Sequence, residues 1–186
     1  MKITETIFPG VLLIQPALFH DDRGVFLENY NLRRYTESGI SNDWVQDNLS
    51  SSSFGVIRGL HYQLNPFAQA KIVQVIRGKI QDVVVDIRKE SPTYGRSISV
   101  ILDSEQRMQI LIPRGFAHGF SVLSEKADVL YKTDNYYSKN HEAGILFNDP
   151  DLAIDWMIPA DKVIVSPKDL ELSRFADVVT NFQYKP

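Results

Sequence analysis

This sequence predicts a mainly β fold, a sandwich or a barrel, and three observations predict it. Beyond Gly55 the chain breaks into short β-branched and apolar runs divided by Gly, Pro and Ser turn signals, which is the spacing of a sandwich or barrel and not of βαβ units. Within that region Gln81 to Arg88 alternates cleanly. Val83, Val85 and Ile87 share one face, and Asp82, Val84 and Asp86 the other, as the period of two in a strand requires. Helical signals are confined to two short segments near the ends.

Taken in order, Ile7 to Gln15 reads as two short strands around the turn Pro9-Gly10. Phe19 to Gly24 is turn-rich, and Val25 to Glu28 is a strand. Asn31 to Ser38 is the first helix, with Asn31 as N-cap and Gly39 as its stop. Trp44 to Ser50 returns to strand, and the Ser50–Ser53 run with Gly55 reads as a loop. Gly55 to Gln63 has strand residues (Val56, Ile57, Leu60, Tyr62), while its two glycines suggest a bulge or a close backbone approach. Lys71 to Ile76 is a strand and Arg77-Gly78-Lys79 a turn. Ser91 to Gly95 turns the chain again. Ser97–Leu102, Met108–Ile112, Phe120–Leu123 and Val129–Thr133 complete the strands. Ser166 to Ala176, with Ser at N-cap, Pro at N1 and an acid at N3, reads as a capped helix packed on the outside.

Composition narrows the function classes. The 186 residues fit one domain, 1–186, with no internal repeat or low-complexity linker. With 44% hydrophobic and 23% charged residues there is material for a real core. Cysteine is absent, which removes disulfides, thiolate ligands and thiol nucleophiles and is compatible with a cytoplasmic protein. The N-terminus carries an acid early and no long apolar run, so no secretory leader is expected. No stretch approaches the roughly 20 apolar residues of a membrane helix. A net charge of −3 argues against a nucleic-acid binder, though a few converging cations could still hold an anionic small ligand.

Four groups carry candidate chemistry. Arg58 and His61 lie three apart on the Gly55–Gln63 strand, so strict alternation would set them on opposite faces; a kink at Gly59 would bring both into one cavity. Lys71 opens the next strand. Ile112 to Phe120 is a Pro- and Gly-punctuated turn carrying His118. Tyr131 sits in Leu130-Tyr-Lys132. A barrel could gather these: His as a base near neutral pH, Lys and Arg as cations for an oxyanion or phosphate, Tyr as an acid. Such a set suits proton abstraction next to a carbonyl. Each residue also has a plain structural reading. Lys71 suits a solvated edge, Tyr131 a half-buried core position, His118 a turn cap, and Asp169 the acid of a capping box.

Metal is the rival chemistry. Pro113 to His118 resembles the second motif of the cupin superfamily, in which that His binds metal. Where the first cupin motif has His-x-His, this chain reads His61-Tyr62-Gln63. Two His donors are fewer than such a site usually needs, so a cupin-like barrel without a catalytic metal is expected.

Longer motifs sharpen the resemblance. Arg58 to Gln63, Gln69-Ala70-Lys71, Asp82 to Arg88 with Ser91 to Gly95, Ile112 to Phe120, Leu130 to Lys132 and Asn148-Asp149-Pro150 together resemble the dTDP-4-dehydrorhamnose 3,5-epimerase family, over nearly the whole chain. The resemblance implies a cupin-type jelly-roll barrel with short flanking helices. It implies a homodimer that needs no cofactor and acts on a dTDP-linked 4-keto-6-deoxy sugar. His61 matches the family's general base, Asp169 its partner, Tyr131 the proton donor and Lys71 the enolate-stabilising cation. Arg58 and His118 match substrate contacts. Arg23 and Glu28 match a nucleotide-contacting segment drawn partly from the neighbouring subunit. Gln46, Asp47 and Asn48 match a nucleotide-contacting run, Tyr137 the aromatic that stacks on thymine, and Glu142 and Lys168 further ligand contacts.

Departures from the family pattern are small: Gln74 replaces a frequent Arg, Leu146-Phe147 a frequent Trp, and Asn65 to Ala68 is a variable loop. Competing readings are a mono-epimerase or ketoisomerase on a related sugar nucleotide, a metal-dependent cupin enzyme, and a non-catalytic sugar-nucleotide binder.

Overall fold

The computed structural model describes residues 1–184. Its strands are β1 (Lys2–Glu5), β2 (Leu12–Gln15), β3 (Phe19–Asp21), β4 (Gly24–Phe26), β5 (Gln46–Ser53), β6 (Ile57–Gln63), β7 (Lys71–Arg77), β8 (Lys79–Asp86), β9 (Ser97–Asp103), β10 (Gln109–Ile112), β11 (Phe116–Val122), β12 (Lys126–Thr133) and β13 (Glu142–Gly144). Two short helices, α1 (Leu32–Glu37) and α2 (Pro167–Leu170), flank them. A six-stranded sheet runs β1-β2-β10-β7-β12-β5 and a five-stranded sheet β13-β6-β11-β8-β9, while β3 and β4 form a separate hairpin. Every strand pairing within the sheets is antiparallel.

Three apolar clusters explain the layering. Val73, Val75, Ile110 and Val129 of the six-stranded sheet meet Ile80, Val84, Leu102, Phe116 and Phe120 of the five-stranded sheet. That is the interior of a double-sheet jelly-roll barrel of cupin type. The outer face of the five-stranded sheet (Ile57, Leu60, Val83, Val85, Ile87) lies under Ile145, Leu152, Trp156 and Phe182 from the C-terminal part. On the outer face of the other sheet, Ile14, Ile72 and Leu111 pack with Tyr35 and Ile40 from α1 and the residues after it. The alternation read in Gln81–Arg88 is therefore real, but both faces are buried: one meets the C-terminal cover, the other turns inward.

Several boundaries differ from expectation, each for a physical reason. The first strand is Lys2–Glu5 and not part of Ile7–Gln15, because 7–10 is wholly used in the turn. The strand after Gly24 ends at Phe26. The Ser50–Ser53 run is the second half of β5, not a loop. It pairs residue by residue with β12 at the edge of its sheet, where polar side chains are tolerated. Ile112–Phe120 is a turn only around Gly115; His118 lies in mid-strand on β11, not capping a turn. The C-terminal helix spans four residues, Pro167–Leu170, and not Ser166–Ala176. After it the chain follows the surface of the barrel through a bridge from Ser173 to Ile145. The cap signals were right: the Ser166 hydroxyl accepts from the Asp169 N–H at 3.1 Å. At α1 the Asn31 side chain likewise accepts from the Arg34 N–H at 3.3 Å.

Candidate active site

The site begins with a defect in the pairing of β6 and β11. His118 faces His61 and Phe120 faces Arg58 across the two strands. Two residues, Gly59 and Leu60, therefore oppose the single Gly119, which is the count of a β-bulge. One extra residue restores parity, so Arg58 and His61 reach the same side although three apart. Gly59 has φ +120°, and a Cβ there would lie 2.5 Å from the Gly119 Cα. The close approach expected at Gly59 is thus that of the neighbouring strand's backbone, and it demands glycine.

Both side chains open into a cavity of about 260 Å³ between the sheets. The five-stranded sheet contributes Arg58, His61, His118 and Phe120; the six-stranded sheet contributes Asn48, Ser50, Lys71, Tyr131 and Thr133. A second hollow of about 400 Å³, lined in part by Arg58, His61, Lys168 and Asp169, lies on the other flank of His61.

His61 Nε2 lies 2.7 Å from Asp169 Oδ1, and the other carboxylate oxygen accepts from the Gly59 N–H at 3.4 Å. The capping-box reading of Asp169 is corrected here: its backbone N–H serves the Ser166 cap, but its carboxyl turns to His61. Burial pushes that carboxyl up, yet the hydrogen bond and charge of His61, the Gly59 N–H and Lys168 outweigh it and hold it below the usual range. His118 forms a second His–carboxylate pair, Nε2 to Asp82 Oδ2 at 2.8 Å, with both side chains buried.

Burial pulls the Lys71 ammonium down to about 8, against the opposing charges of Asp82 and Glu142. It is still mostly charged near neutral pH. Burial pushes the Tyr131 phenol up to about 12, partly offset by its hydrogen bond to Ser50 and the charge of Arg58. Tyr131 therefore holds its proton at neutral pH. Its hydroxyl is 3.2 Å from Ser50 Oγ, and Arg58 Nε donates to Ser52 Oγ at 3.0 Å. Of the β5 serines expected in a loop, Ser50 is polar lining for this cavity and Ser52 braces the Arg58 guanidinium.

The remaining candidates divide between rim and distance. Glu142 accepts from the Tyr137 hydroxyl at 2.7 Å and from Lys168 at 2.6 Å, and the Gln46 side chain accepts from the Tyr137 N–H at 3.1 Å. Gln46 also donates to Asn48 at 3.0 Å, so these residues form one connected rim. Asp47 pairs with Lys132 at 2.8 Å and does not line the cavity. Arg23 and Glu28 do not line it either. Arg23 pairs with Asp21 on the β3–β4 hairpin, and Glu28 with Arg34 at 3.3 Å. Gln63, at the place of a cupin's second His, is spent on structure: it donates to the Phe67 and Tyr136 carbonyls and accepts from the Ser138 N–H. Among the described residues no three His, Cys, Asp or Glu side chains gather as a metal site would need.

Sequence reasoning passed over Ser50, Ser52 and Asp82 as site residues. For Asp82 the signal was present: an acid set between Ile80 and Val84 on its own face of a strand whose other face carries Val83, Val85 and Ile87.

Comparisons with known proteins identify the family. A family model described as dTDP-4-dehydrorhamnose 3,5-epimerase matches residues 5–177. A dTDP-4-dehydrorhamnose 3,5-epimerase of Shigella flexneri is 47% identical over 178 residues, 95% of this chain and 97% of that protein. The crystal structure of dTDP-6-deoxy-D-glucose-3,5-epimerase from Legionella pneumophila, in complex with dTDP-4-keto-L-rhamnose, superposes with a TM-score of 0.94. It is 42% identical and covers 100% of this chain and 99% of that one. A 3'-monoepimerase of Streptomyces bikiniensis in complex with dTDP-quinovose is more distant, at 30% identity and a TM-score of 0.83, over 90% of this chain and 84% of that one.

Proposed function

Because the chain belongs to the dTDP-4-dehydrorhamnose 3,5-epimerase family, we propose that it converts dTDP-4-dehydro-6-deoxy-D-glucose to dTDP-4-dehydro-L-rhamnose. It does so by inverting C3 and C5, as a step in dTDP-L-rhamnose biosynthesis. The observation that carries this reading is the placement of His61 and Tyr131. They line one cavity from opposite sheets, with Lys71 in the same lining.

The 4-keto group makes the protons on C3 and C5 acidic. With Nε2–H donated to Asp169, His61 keeps its lone pair on Nδ1 and takes one of these protons. The electron pair moves to the C4 oxygen, where the Lys71 ammonium stabilises the enolate. Tyr131 then returns a proton to the carbon from the other side, which inverts it. The buried Asp169 carboxylate stabilises the imidazolium formed on His61 and fixes its ring. The imidazolium then gives its proton to solvent and the Tyr131 phenolate regains one from it, and repeating the cycle at the second carbon completes the reaction. Arg58 and His118 hold the substrate in the cavity. Tyr137, Glu142, Lys168, Gln46, Asp47 and Asn48 serve the nucleotide end at the rim. No cofactor takes part in these steps.

Arg23 and Glu28 lie apart from the cavity of their own chain. The hairpin carrying Arg23 exposes Phe19, Val25 and Phe26. Both features support a homodimer in which this segment serves the neighbouring subunit's site. The chain works as one domain, 1–186, in the cytoplasm; no helix among the described residues is long and apolar enough to cross a membrane.

The second reading is mono-epimerisation, favoured by the likeness to the 3'-monoepimerase. Incubation of purified protein with the 4-keto-6-deoxy-glucose nucleotide, followed by proton NMR of the sugar ring, separates the two. Inversion at both carbons supports double epimerisation. Accumulation of a singly inverted product would replace it with the second reading.

A further inference from the structure

Asp82 lies on the inward face of β8 with Ile80 and Val84 as its apolar neighbours; the other acid of that face, Asp86 at the strand's end, is taken up by Arg88, Ser91 and Thr93. Asp82 is fully buried. One oxygen accepts from His118, and the other, Oδ1, has no hydrogen-bond partner among the described residues. A buried carboxylate with a bare oxygen is costly, and an apolar side chain would suit the surroundings better. Its charge must therefore act on something nearby.

His118, to which Asp82 is bonded, lines the same cavity as Lys71 and Tyr131, and the Asp82 charge favours the protonated form of both. We propose that Asp82 is a positioning residue for the epimerase reaction: it anchors His118 through one oxygen, and its otherwise uncompensated charge keeps Lys71 a cation beside the substrate's carbonyl. This rests on the reading of Lys71 given above. The groups that face Lys71 are Asp82 from β8, Glu142 from β13, Arg58 and His61 from β6, His118 from β11 and Tyr131 from β12. Of the two acids, Glu142 is already engaged by Lys168 and Tyr137. Asp82 has no cationic Lys or Arg partner among the described ion pairs, so its field is free to act on Lys71.

The sign follows directly. Lys71 works as the ammonium, so activity falls as pH rises through its value near 8. Removing the Asp82 charge lowers that value and moves the alkaline limb of kcat/KM to lower pH. An opposing charge at close range is worth about one to three pH units. A shift of about one unit gives a roughly threefold loss of kcat/KM at about pH 7.5, and little loss near pH 6.

The test compares wild type, Asp82→Asn and Asp82→Glu by kcat/KM against pH. In parallel, the pH dependence of Lys71 acetylation by acetic anhydride is followed by peptide mass spectrometry without substrate. The expected result is a downward shift of both the limb and the labelling curve in Asp82→Asn, with Asp82→Glu close to wild type. A folded Asp82→Asn whose limb and labelling match wild type overturns the proposal, since a merely structural carboxyl would lower the melting temperature without moving either. Where Asp82→Asn does not fold, Asp82→Ser, with room for water, is read in the same way. Failure of both to fold overturns the proposal in favour of a structural carboxylate. If the wild type does not turn over the substrate, the proposed function fails, while the labelling curves still decide what Asp82 does to Lys71.

Discussion

Replacing Asp169 by Asn isolates the charge behind His61 while keeping the shape around it. The carboxylate sits 2.7 Å from Nε2 with a side chain only 5% exposed, so solvent screens the pair poorly. Before the reaction His61 is a neutral base; once it holds the abstracted proton it is a cation facing Asp169. The charged part of the interaction therefore falls on the transition state. A charge-assisted hydrogen bond of this kind contributes about 1.5–3 kcal/mol, which is roughly a 10- to 150-fold loss in rate. The amide can also donate to Nε2 and reverse the tautomer, taking the lone pair away from the substrate. Loss of the correct tautomer raises the cost toward about 10⁴-fold. The Asp169 backbone N–H still reaches Ser166 Oγ, and an amide oxygen can still accept from Gly59, so the fold should persist. The assay is kcat/KM on the 4-keto sugar nucleotide, with dTDP binding by calorimetry and a thermal melt as controls. A folded Asp169→Asn variant within about threefold of wild-type rate would refute the account of the dyad, because that is less than the smallest loss worked out here.

Other perturbations divide the same site. His61→Ala should lower turnover by roughly 10²–10⁴-fold or more while the thermal melt is kept; a near-native rate would mean that another group is the base. Tyr131→Phe should slow inversion yet leave dTDP binding within about twofold of wild type, the hydroxyl being a proton donor and not an anchor. A large loss of binding would make it a packing residue instead. Gly59→Ala should destabilise the protein by about 2 kcal/mol or more in urea unfolding, since the new Cβ meets the Gly119 backbone at a φ of +120°. A native-like unfolding midpoint would show that the bulge does not need glycine.

Local periodicity carried much of the barrel. Val83, Val85 and Ile87 alternate with Asp82 and Val84 because each face of β8 has its own apolar partner layer. Ser166, Pro167 and Asp169 marked the helix start because capping chemistry is local. The length of that helix was not legible, since its end is set by where the chain meets the barrel. The serines of β5 misled because a strand lining a polar cavity lacks the apolar face that marks an ordinary strand. In the site, the kink at Gly59 could be suspected from glycine in a strand, but its partner Gly119 lies on another strand and only pairing reveals it. Asp82 was passed over although its apolar neighbours marked it as a buried acid, and its link to His118 depends on the register of β8 with β11. Arg23 and Glu28 are named by resemblance alone, and a single chain places them outside its own cavity.

The central claim is that one base and one acid, His61 and Tyr131, exchange protons at two carbons of the same substrate. Running the reaction in deuterated water and locating the label by NMR and mass spectrometry tests it most directly. The account predicts solvent deuterium at both C3 and C5 with wild-type protein, and at neither with His61→Ala. Label at one carbon only, or inversion without label from solvent, would contradict it.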